Sequence, residues 1–136
     1  MTDLAERVLA EANTIAVVGL SRSPHKAAHS VPASLQAAGF RIIPVHPSAD
    51  ELLGEKVYRS LAEIPEPVDI VDVFRPSAEA PAIAAQAVAI GAKTLWLQQG
   101  IVSAEARRIA TEGGLAYVED RCTAVVRALA QLTKHS

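Results

Sequence analysis

The chain has 136 residues, the usual length of one domain, and half of them are hydrophobic, which excludes a disordered chain. Its formal net charge of −2 argues against a general nucleic-acid binder, and its single cysteine cannot form an internal disulfide. No apolar run approaches the roughly 20 residues of a membrane span, and the charged, helical N-terminus is unlike a signal peptide. We therefore predict one soluble, cytoplasmic domain over residues 1–136.

The predicted elements begin with a helix and a buried strand. Apolar residues at helical spacing predict a helix over 3–12, with Thr2 or Asp3 as its N-cap. The run 14–20 is apolar and rich in β-branched residues, so we predict a buried central strand that stops at Gly19. A strand, a glycine turn and a helix are how many proteins hold a phosphate, so this junction is the first candidate site.

Strand and helix patterns then alternate along the rest of the chain. In chain order we predict a helix over 25–38, a strand over 40–47, a helical turn at 61–64, a strand over 68–74, a helix over 79–90, a strand over 93–98, a helix over 103–114, a strand within 115–120 and a helix over 122–132. Pro32 is expected near the first turn of its helix. Five strands alternating with helices predict an α/β fold: a single doubly wound parallel five-stranded sheet, Rossmann-like, with helices on both faces.

Ligands of such sheets bind beyond the carboxyl ends of the strands, and the segment 19–26, GLSRSPHK, follows the first of them. Backbone N–H groups and the start of the next helix attract phosphate there, the serines add hydroxyls, and Arg22, His25 and Lys26 add positive charge. Gly19 fits the first glycine of the motif G-x-G-x-x-G, but the other two glycines are absent. We predict phosphate binding; the alternative is that Gly19 only turns the chain and the basic residues are solvated.

The end of the second strand helps to distinguish ligand classes. NAD-binding domains usually carry Asp or Glu there to hold the ribose hydroxyls, whereas this strand ends in Val45-His46-Pro47 with no carboxylate before Asp50. The pattern argues against NAD and suits an apolar wall beside an adenine. The alternative interpretation is that His46 is an ordinary surface residue.

The remaining strand ends supply three more candidate segments. Arg75, which follows Phe74, is a candidate for a ligand phosphate, with pairing to Asp72 or helix capping as the alternative. In Gln98-Gln99-Gly100-Ile101 the glycine allows a ligand to approach the backbone, with a tight turn as the alternative. Cys122 opens the last helix and is interpreted as a structural or ligand-lining residue rather than a nucleophile. Histidines and acids show no metal signature.

Several of these segments occur together, in this order, in one protein family. They are IAVVGLSRSP (15–24), GFRIIPVHP (39–47), LGEKVYRSLAEIPEPVDIVDVFRPSAEAP (53–81), WLQQGI (96–101) and EDRC (119–122). With them the chain resembles the small stand-alone CoA-binding proteins of bacteria, whose fold is similar to the CoA-binding domain of the succinyl-CoA synthetase α subunit. It departs from many relatives at His46, where they have Asn, and at 27–30, where a serine hydroxyl and a guanidinium are lost.

The resemblance implies that coenzyme A lies across the carboxyl edge of the sheet. The implied contacts are Gly19, Leu20 and Ser21 at the pyrophosphate, Lys26 at a phosphate, His46 and Pro47 at the adenine end, Val73, Phe74 and Arg75 along the crevice, Gln99, Gly100 and Ile101 beside the pantetheine arm, and Cys122 at the family's cysteine. Arg22 and His25 are the two candidates to compensate for these losses.

The resemblance also implies a binding protein with no catalytic activity of its own. The synthetase works with a second domain that carries a phosphorylated histidine and with a partner subunit, and we expect neither in this chain. CoA or an acyl-CoA is the predicted ligand, with no metal, nucleic acid or membrane as partner. An NAD(P)-binding redox protein and a subunit of a larger acyl-CoA enzyme complex are the alternatives, and a homodimer or a protein partner stays open.

Overall fold

A parallel five-stranded sheet forms the centre of the computed structural model of this chain, which describes residues 3–134. In chain order the strands are β1 (Thr14–Val18), β2 (Arg41–Val45), β3 (Glu51–Leu52), β4 (Glu55–Lys56), β5 (Ile70–Val73), β6 (Thr94–Leu97) and β7 (Ala116–Val118). The sheet order is β2-β1-β5-β6-β7, and β3 and β4 form a separate antiparallel hairpin. The predicted doubly wound, Rossmann-like α/β fold is confirmed.

Five helices cover both faces of this sheet. They are α1 (Leu4–Glu11), α2 (Ala27–Ala37), α3 (Ala80–Ala89), α4 (Ala104–Glu112) and α5 (Thr123–Leu129), with short 3₁₀ turns at Leu61–Glu63 and Ser77–Glu79. Successive residues of a strand point to opposite faces, so Ile15 and Val17 pack with α1, α2 and α5, whereas Ala16 packs with α3 and α4. Trp96, fully buried on the first of these faces, donates its indole N–H to the carbonyl oxygen of Arg121 at 2.8 Å.

The first helix begins at a predicted cap, whereas the last helix ends earlier than predicted. Asp3 is the N-cap of α1, accepting the N–H of Glu6 at 3.0 Å, while the alternative cap, Thr2, lies outside the described residues. The last helix ends at Leu129 rather than at residue 132, and Gln131 then adopts φ +56°. The chain returns along the end of α2, where the N–H of Lys134 donates to the carbonyl oxygen of Ala38 at 2.7 Å.

The β3–β4 hairpin and the segment after it were not predicted. Leu53 and Gly54, between its strands, both have positive φ (55° and 73°), as a type I′ turn requires. Beyond the hairpin, Tyr58 makes a parallel bridge to β2, donating its N–H to the carbonyl oxygen of Pro44 and accepting the N–H of His46, each at 3.0 Å. This bridge brings Arg59 to the carboxyl edge of the sheet.

A helix that crosses a bilayer needs about 20 predominantly apolar residues, which bears on the five helices of this fold. Among the described residues, 3–134, none of them has the length and hydropathy needed to cross one.

Candidate ligand-binding site

A cavity of about 820 Å³ opens at the carboxyl ends of β1, β2 and β5. The chain leaves β1 towards β2 on one side of the sheet, and later enters β5 on the other side of β1. This reversal of strand order separates the loops that follow β1 and β5, and open α/β sheets bind their ligands in the resulting crevice. The cavity therefore lies where the sequence predicted a site.

Gly19 forms part of the cavity wall directly after β1. Its φ of +93° is a left-handed conformation that favours glycine, and its N–H donates to the carbonyl oxygen of Val45 at 3.3 Å. A Cβ at this position would lie 2.8 Å from Cδ of Arg75 and 3.2 Å from the carbonyl oxygen of Phe74. The glycine thus lets the loops after β1 and β5 approach each other and keeps Arg75 beside the turn.

Pro32 fastens the glycine loop to α2. It lies in the sixth position of the helix rather than near the first turn as predicted, and it has no N–H to donate to the carbonyl oxygen of Ala28. That oxygen instead accepts the N–H of Ser21 at 3.0 Å. The missing helical bond is therefore replaced by one that fixes the position of the loop relative to the start of the helix.

Two side chains hold the rest of this loop. The hydroxyl oxygen of Ser21 accepts the N–H of Ser23 at 3.0 Å, and Nδ1 of His29, on α2, donates to the carbonyl oxygen of Ser21 at 2.7 Å. Because an amide oxygen only accepts, this contact requires the His29 proton on Nδ1. The loop is therefore ordered by its own hydroxyl and by a side chain of the helix behind it.

The start of α2 adjoins the cavity, which Lys26 and Ala28 line. Lys26 is the N-cap residue and makes no side-chain hydrogen bond to the helix. The first N–H groups of an α-helix have no partner within the helix, and the helix dipole makes this end positive. An anion in this part of the cavity would meet those N–H groups and the Lys26 ammonium together.

Arg75 makes an ion pair inside the cavity, but not with the residue considered from sequence. Its Nε and Nη2 donate to the two carboxylate oxygens of Glu79, at 3.1 and 2.8 Å, and these bonds hold the pKa of Glu79 below its ordinary value. Asp72 is fully buried and instead accepts hydrogen bonds from Gln98 (2.6 Å) and Thr123 (3.3 Å). The alternative of a pairing between Arg75 and Asp72 is wrong, since the Asp72 carboxylate is buried on its own partners while Arg75 is held by Glu79.

His46 keeps the backbone of its loop in order through one ring nitrogen. Nδ1 accepts the N–H groups of Ser48 and Ala49, at 3.0 and 2.9 Å. An asparagine at this position could accept the same groups with its side-chain oxygen, so the turn does not itself require a histidine. Burial, together with the charges of Arg22 and Arg59, lowers the pKa of His46.

The structure brings together one part of the predicted site and leaves another part outside the cavity. The predicted residues that line the cavity are Gly19, Leu20, Ser21, Arg22, Lys26, His46, Pro47, Phe74 and Arg75. The others are Val73, buried within β5; Gln99, Gly100 and Ile101, in a loop fastened by the 2.7 Å bond from the Gly100 N–H to Asp120; and Cys122, the half-buried N-cap residue of α5.

Several lining residues were missed by the sequence analysis. They are Val18, Ala28, Val45, Arg59, Ser60, Glu79, Ile83 and Gln86. Glu79, Ile83 and Gln86 recur at helical spacing after β5, so the face of α3 beside the crevice was open to prediction. Arg59 had no such signal, because its place depends on the bridge between Tyr58 and β2.

The chain is similar to proteins of bacteria and of archaea. The chain is 42% identical over 124 residues to the uncharacterized protein YneT of Bacillus subtilis, covering 91% of this chain and 92% of that protein. It superposes on a hypothetical protein from Pyrococcus horikoshii OT3 with a TM-score of 0.91 and 33% identity, covering 96% and 93% of the two chains. An ADP-forming acetate–CoA ligase II of Archaeoglobus fulgidus is 34% identical over 82 residues, which are 59% of this chain and 12% of the ligase.

A protein-family comparison matches nearly the whole of the fold. The family is described as the CoA binding domain, and the match spans residues 13–128, from the start of β1 almost to the end of α5. It includes every strand of the sheet and all the loops that line the cavity. The chain is a member of the CoA binding domain family.

Proposed function

We propose that this protein binds coenzyme A, free or acylated, in the cavity at the carboxyl edge of the sheet, and that it does so without a catalytic step of its own. The observation that carries the proposal is the N-terminus of α2, which has no side-chain cap and adjoins the Gly19 loop in a member of this family. The pyrophosphate would lie against that loop and the first N–H groups of the helix.

The cavity suits this ligand in both size and charge. Its volume of about 820 Å³ is within the range of small-molecule sites. Of the residues that the structure describes, four basic side chains line it, namely Arg22, Lys26, Arg59 and Arg75, against one carboxylate, that of Glu79. This excess of positive charge favours a ligand with several phosphates, which CoA has. The matching ligase is also named for its use of CoA.

The proposal predicts that CoA stabilises the folded protein. A ligand that binds only the folded state raises the melting temperature as its concentration rises. Thermal-shift titrations with CoA, acetyl-CoA, NAD and NADP, followed by calorimetry, should give a response to CoA. Lys26→Ala should weaken CoA binding about tenfold, because it removes one charge-assisted contact to phosphate.

Lys93→Ala is the matched control for that variant. It removes the same charge, but residue 93 precedes β6, at the amino edge of the sheet, where it pairs with Asp69. Its CoA affinity should equal that of the natural chain. A response to NADP without one to CoA would favour the redox alternative, and no response to any of the four ligands would contradict the proposal.

Glu79 should act as an internal competitor of the ligand. It holds Arg75 through two hydrogen bonds, yet both side chains are about half exposed, so the pair contributes little stability and can exchange partners. Glu79→Gln removes the competing carboxylate, and we expect CoA affinity to rise severalfold. Calorimetry at one fixed ionic strength measures the change.

Two variants separate this effect from a general change of charge. Glu112→Gln disrupts a similar ion pair four residues along a helix, with Arg108 on α4 outside the cavity, and should leave affinity unaltered. If Glu79 acts through Arg75, the gain should vanish when Glu79→Gln is combined with Arg75→Ala. A gain of equal size in both backgrounds would show that the guanidinium plays no part.

A further inference from the structure

The histidine that follows β2 offers a fixed hydrogen-bond donor to the cavity. Both hydrogen bonds of its imidazole ring in the described part of the chain are at Nδ1, which accepts the N–H groups of Ser48 and Ala49. A ring nitrogen that accepts carries no proton, so the neutral ring bears its proton on Nε2. His46 lines the cavity, and its Nε2–H is left for a ligand.

The guanidinium of Arg59 is hydrogen-bonded to the same loop. Its Nη1 donates to the carbonyl oxygens of His46, at 3.3 Å, and Ala49, while Nη2 pairs with Asp50 at 2.7 Å. These bonds fix the guanidinium beside the loop, and the residue lines the cavity. Asp50 is almost fully exposed and is not part of the cavity wall, so solvent weakens its pairing with Arg59 and the guanidinium can exchange it for a ligand anion.

Arg22 reaches the same place from the other side of the cavity. It extends from the Gly19 loop, and its Nη2 donates to the hydroxyl oxygen of Ser48 at 3.2 Å. Its charge and that of Arg59 both act on the His46 ring. Among the described residues the cavity wall holds one carboxylate, that of Glu79, which precedes α3 beyond β5 and is already paired with Arg75. At the end of β2 the polar side chains that line the cavity in this part of the chain are therefore Arg22, His46, Arg59 and the hydroxyl-bearing Ser60, with no carboxylate.

Position in the fold indicates what these donors meet. In dinucleotide-binding sheets the residue at the end of the second strand meets the ribose, where a carboxylate accepts from its hydroxyls and an arginine accommodates a phosphate on the ring. Here the carboxylate is replaced by a histidine donor, and two guanidinium groups are added. Such a set cannot accept from hydroxyls, but it suits the oxygens of a phosphate monoester.

We propose that His46, Arg22 and Arg59 form a subsite for a phosphate monoester on the ribose of the bound nucleotide, an inference that rests on the proposed binding of a nucleotide in this cavity. The 3′-phosphate of CoA and the 2′-phosphate of NADP share this chemistry. The subsite makes the protein select phosphorylated ribose over the free hydroxyl, whichever of these nucleotides it binds.

Calorimetry with two matched pairs of ligands tests the proposal. CoA differs from dephospho-CoA, and NADP from NAD, only by the ribose phosphate. We expect CoA to bind at least about tenfold more tightly than dephospho-CoA, as one multiply hydrogen-bonded phosphate contact implies. Because the contact is ionic, the preference should fall as salt rises.

Variants then show which groups provide the preference. His46→Asn keeps an oxygen to accept the N–H groups of Ser48 and Ala49 and removes the Nε2–H, so the loop keeps its support. Arg22→Ala removes one guanidinium. Its one hydrogen bond among the described residues is to Ser48, so we expect the fold to tolerate the change. Each should lower the ratio of CoA to dephospho-CoA affinity severalfold, whereas Arg121→Ala, outside the cavity, should leave the ratio as it is.

The possible outcomes distinguish a failure of the phosphate subsite from a failure of the proposed CoA binding. Equal affinities for CoA and dephospho-CoA, at any salt concentration, would overturn the subsite while CoA binding stood. Preference for NADP over NAD with no binding of CoA would support the subsite and overturn the proposed function. A preference for CoA that survives in His46→Asn and Arg22→Ala alike would show that other groups hold the phosphate, and the assignment would be wrong.

Discussion

The Asp72→Asn protein should be more stable than the natural chain at neutral pH, and its advantage should shrink as the pH falls towards 4. Asp72 is fully buried in β5, and burial raises its pKa to about 7, although hydrogen bonds from Gln98 and Thr123 act in the opposite direction. No cation offsets its charge among its hydrogen-bond partners in the described chain. An amide of the same shape stays neutral at every pH and keeps an oxygen to accept from Gln98.

The sign follows from proton binding. Between pH 4 and 7 the folded protein holds a proton on Asp72 that the unfolded chain has released, so the free energy of unfolding falls as the pH rises. One unit of pKa corresponds to about 1.4 kcal/mol, so the contribution over the whole interval is roughly 4 kcal/mol. The difference between the two proteins should therefore grow from pH 4 to 7 and then level off, as measured by urea unfolding at each pH.

Asp69→Asn provides a control of opposite sign. Burial of this carboxylate tends to raise its pKa, but N–H donors of Thr14 and Asn13, together with Lys93, lower it overall. Its contribution to stability is present above the unfolded pKa and is lost as the pH falls through the folded one. The deficit of this variant should shrink in acid. Parallel stability curves for Asp72→Asn and the natural chain from pH 4 to 8 would contradict the buried, protonated Asp72.

The Gly39→Ala protein should lose at least about 3 kcal/mol of unfolding free energy, as the left-handed backbone and the broken contacts together imply. Gly39 follows α2 with φ +99°, and a Cβ there would lie 1.9 Å from the carbonyl oxygen of Lys134. That segment is also held by the bond from the Lys134 N–H to Ala38. The added methyl group must therefore displace backbone, not only a flexible side chain.

Gly91→Ala isolates the steric part of this loss. Gly91 follows α3 with φ +73°, and a Cβ at this position meets nothing within 4 Å. The variant should therefore lose only about 1–2 kcal/mol of unfolding free energy, which is the cost of an alanine in the left-handed conformation. Denaturant unfolding compares the two. In a chain shortened to end at Leu132, Gly39→Ala should become as mild as Gly91→Ala. Equal losses in the full chain would mean that the contact with Lys134 has no energetic weight.

The sheet was predictable from the sequence because glycines mark the ends of several of its strands and helices. Gly19, Gly39 and Gly91 all have positive φ at the ends of predicted elements, which is why a glycine marks each boundary. The loops after β1, β2 and β5 followed from the same alternation, since parallel strands bring their carboxyl ends to one edge. The element boundaries and the loops at the carboxyl edge of the sheet could therefore be predicted from residue order alone.

Features that depend on pairing between residues far apart in the chain could not be predicted in this way. Arg59 reaches the cavity because Tyr58 bridges to β2, and nothing near residue 59 in the sequence indicates that bridge. A strand of two residues such as β3 is too short to show the alternating pattern that would predict a hairpin. Asp72 was considered as a partner of Arg75 because they are near in sequence, whereas its real partners, Gln98 and Thr123, come from β6's end and from α5. A hydrogen-bonded cluster of this kind leaves no periodic trace in the sequence.

The bridge between Tyr58 and β2 has a consequence for how the molecule meets other chains. An uncovered outer strand offers its backbone groups to any passing strand and so promotes aggregation. Here Tyr58 occupies the carbonyl oxygen of Pro44 and the N–H of His46, and Pro44 itself has no N–H to offer. At the opposite border, β7 is three residues long. Both borders of the sheet are thus poor templates for strand addition, so contacts with a second chain should be made by helices and loops.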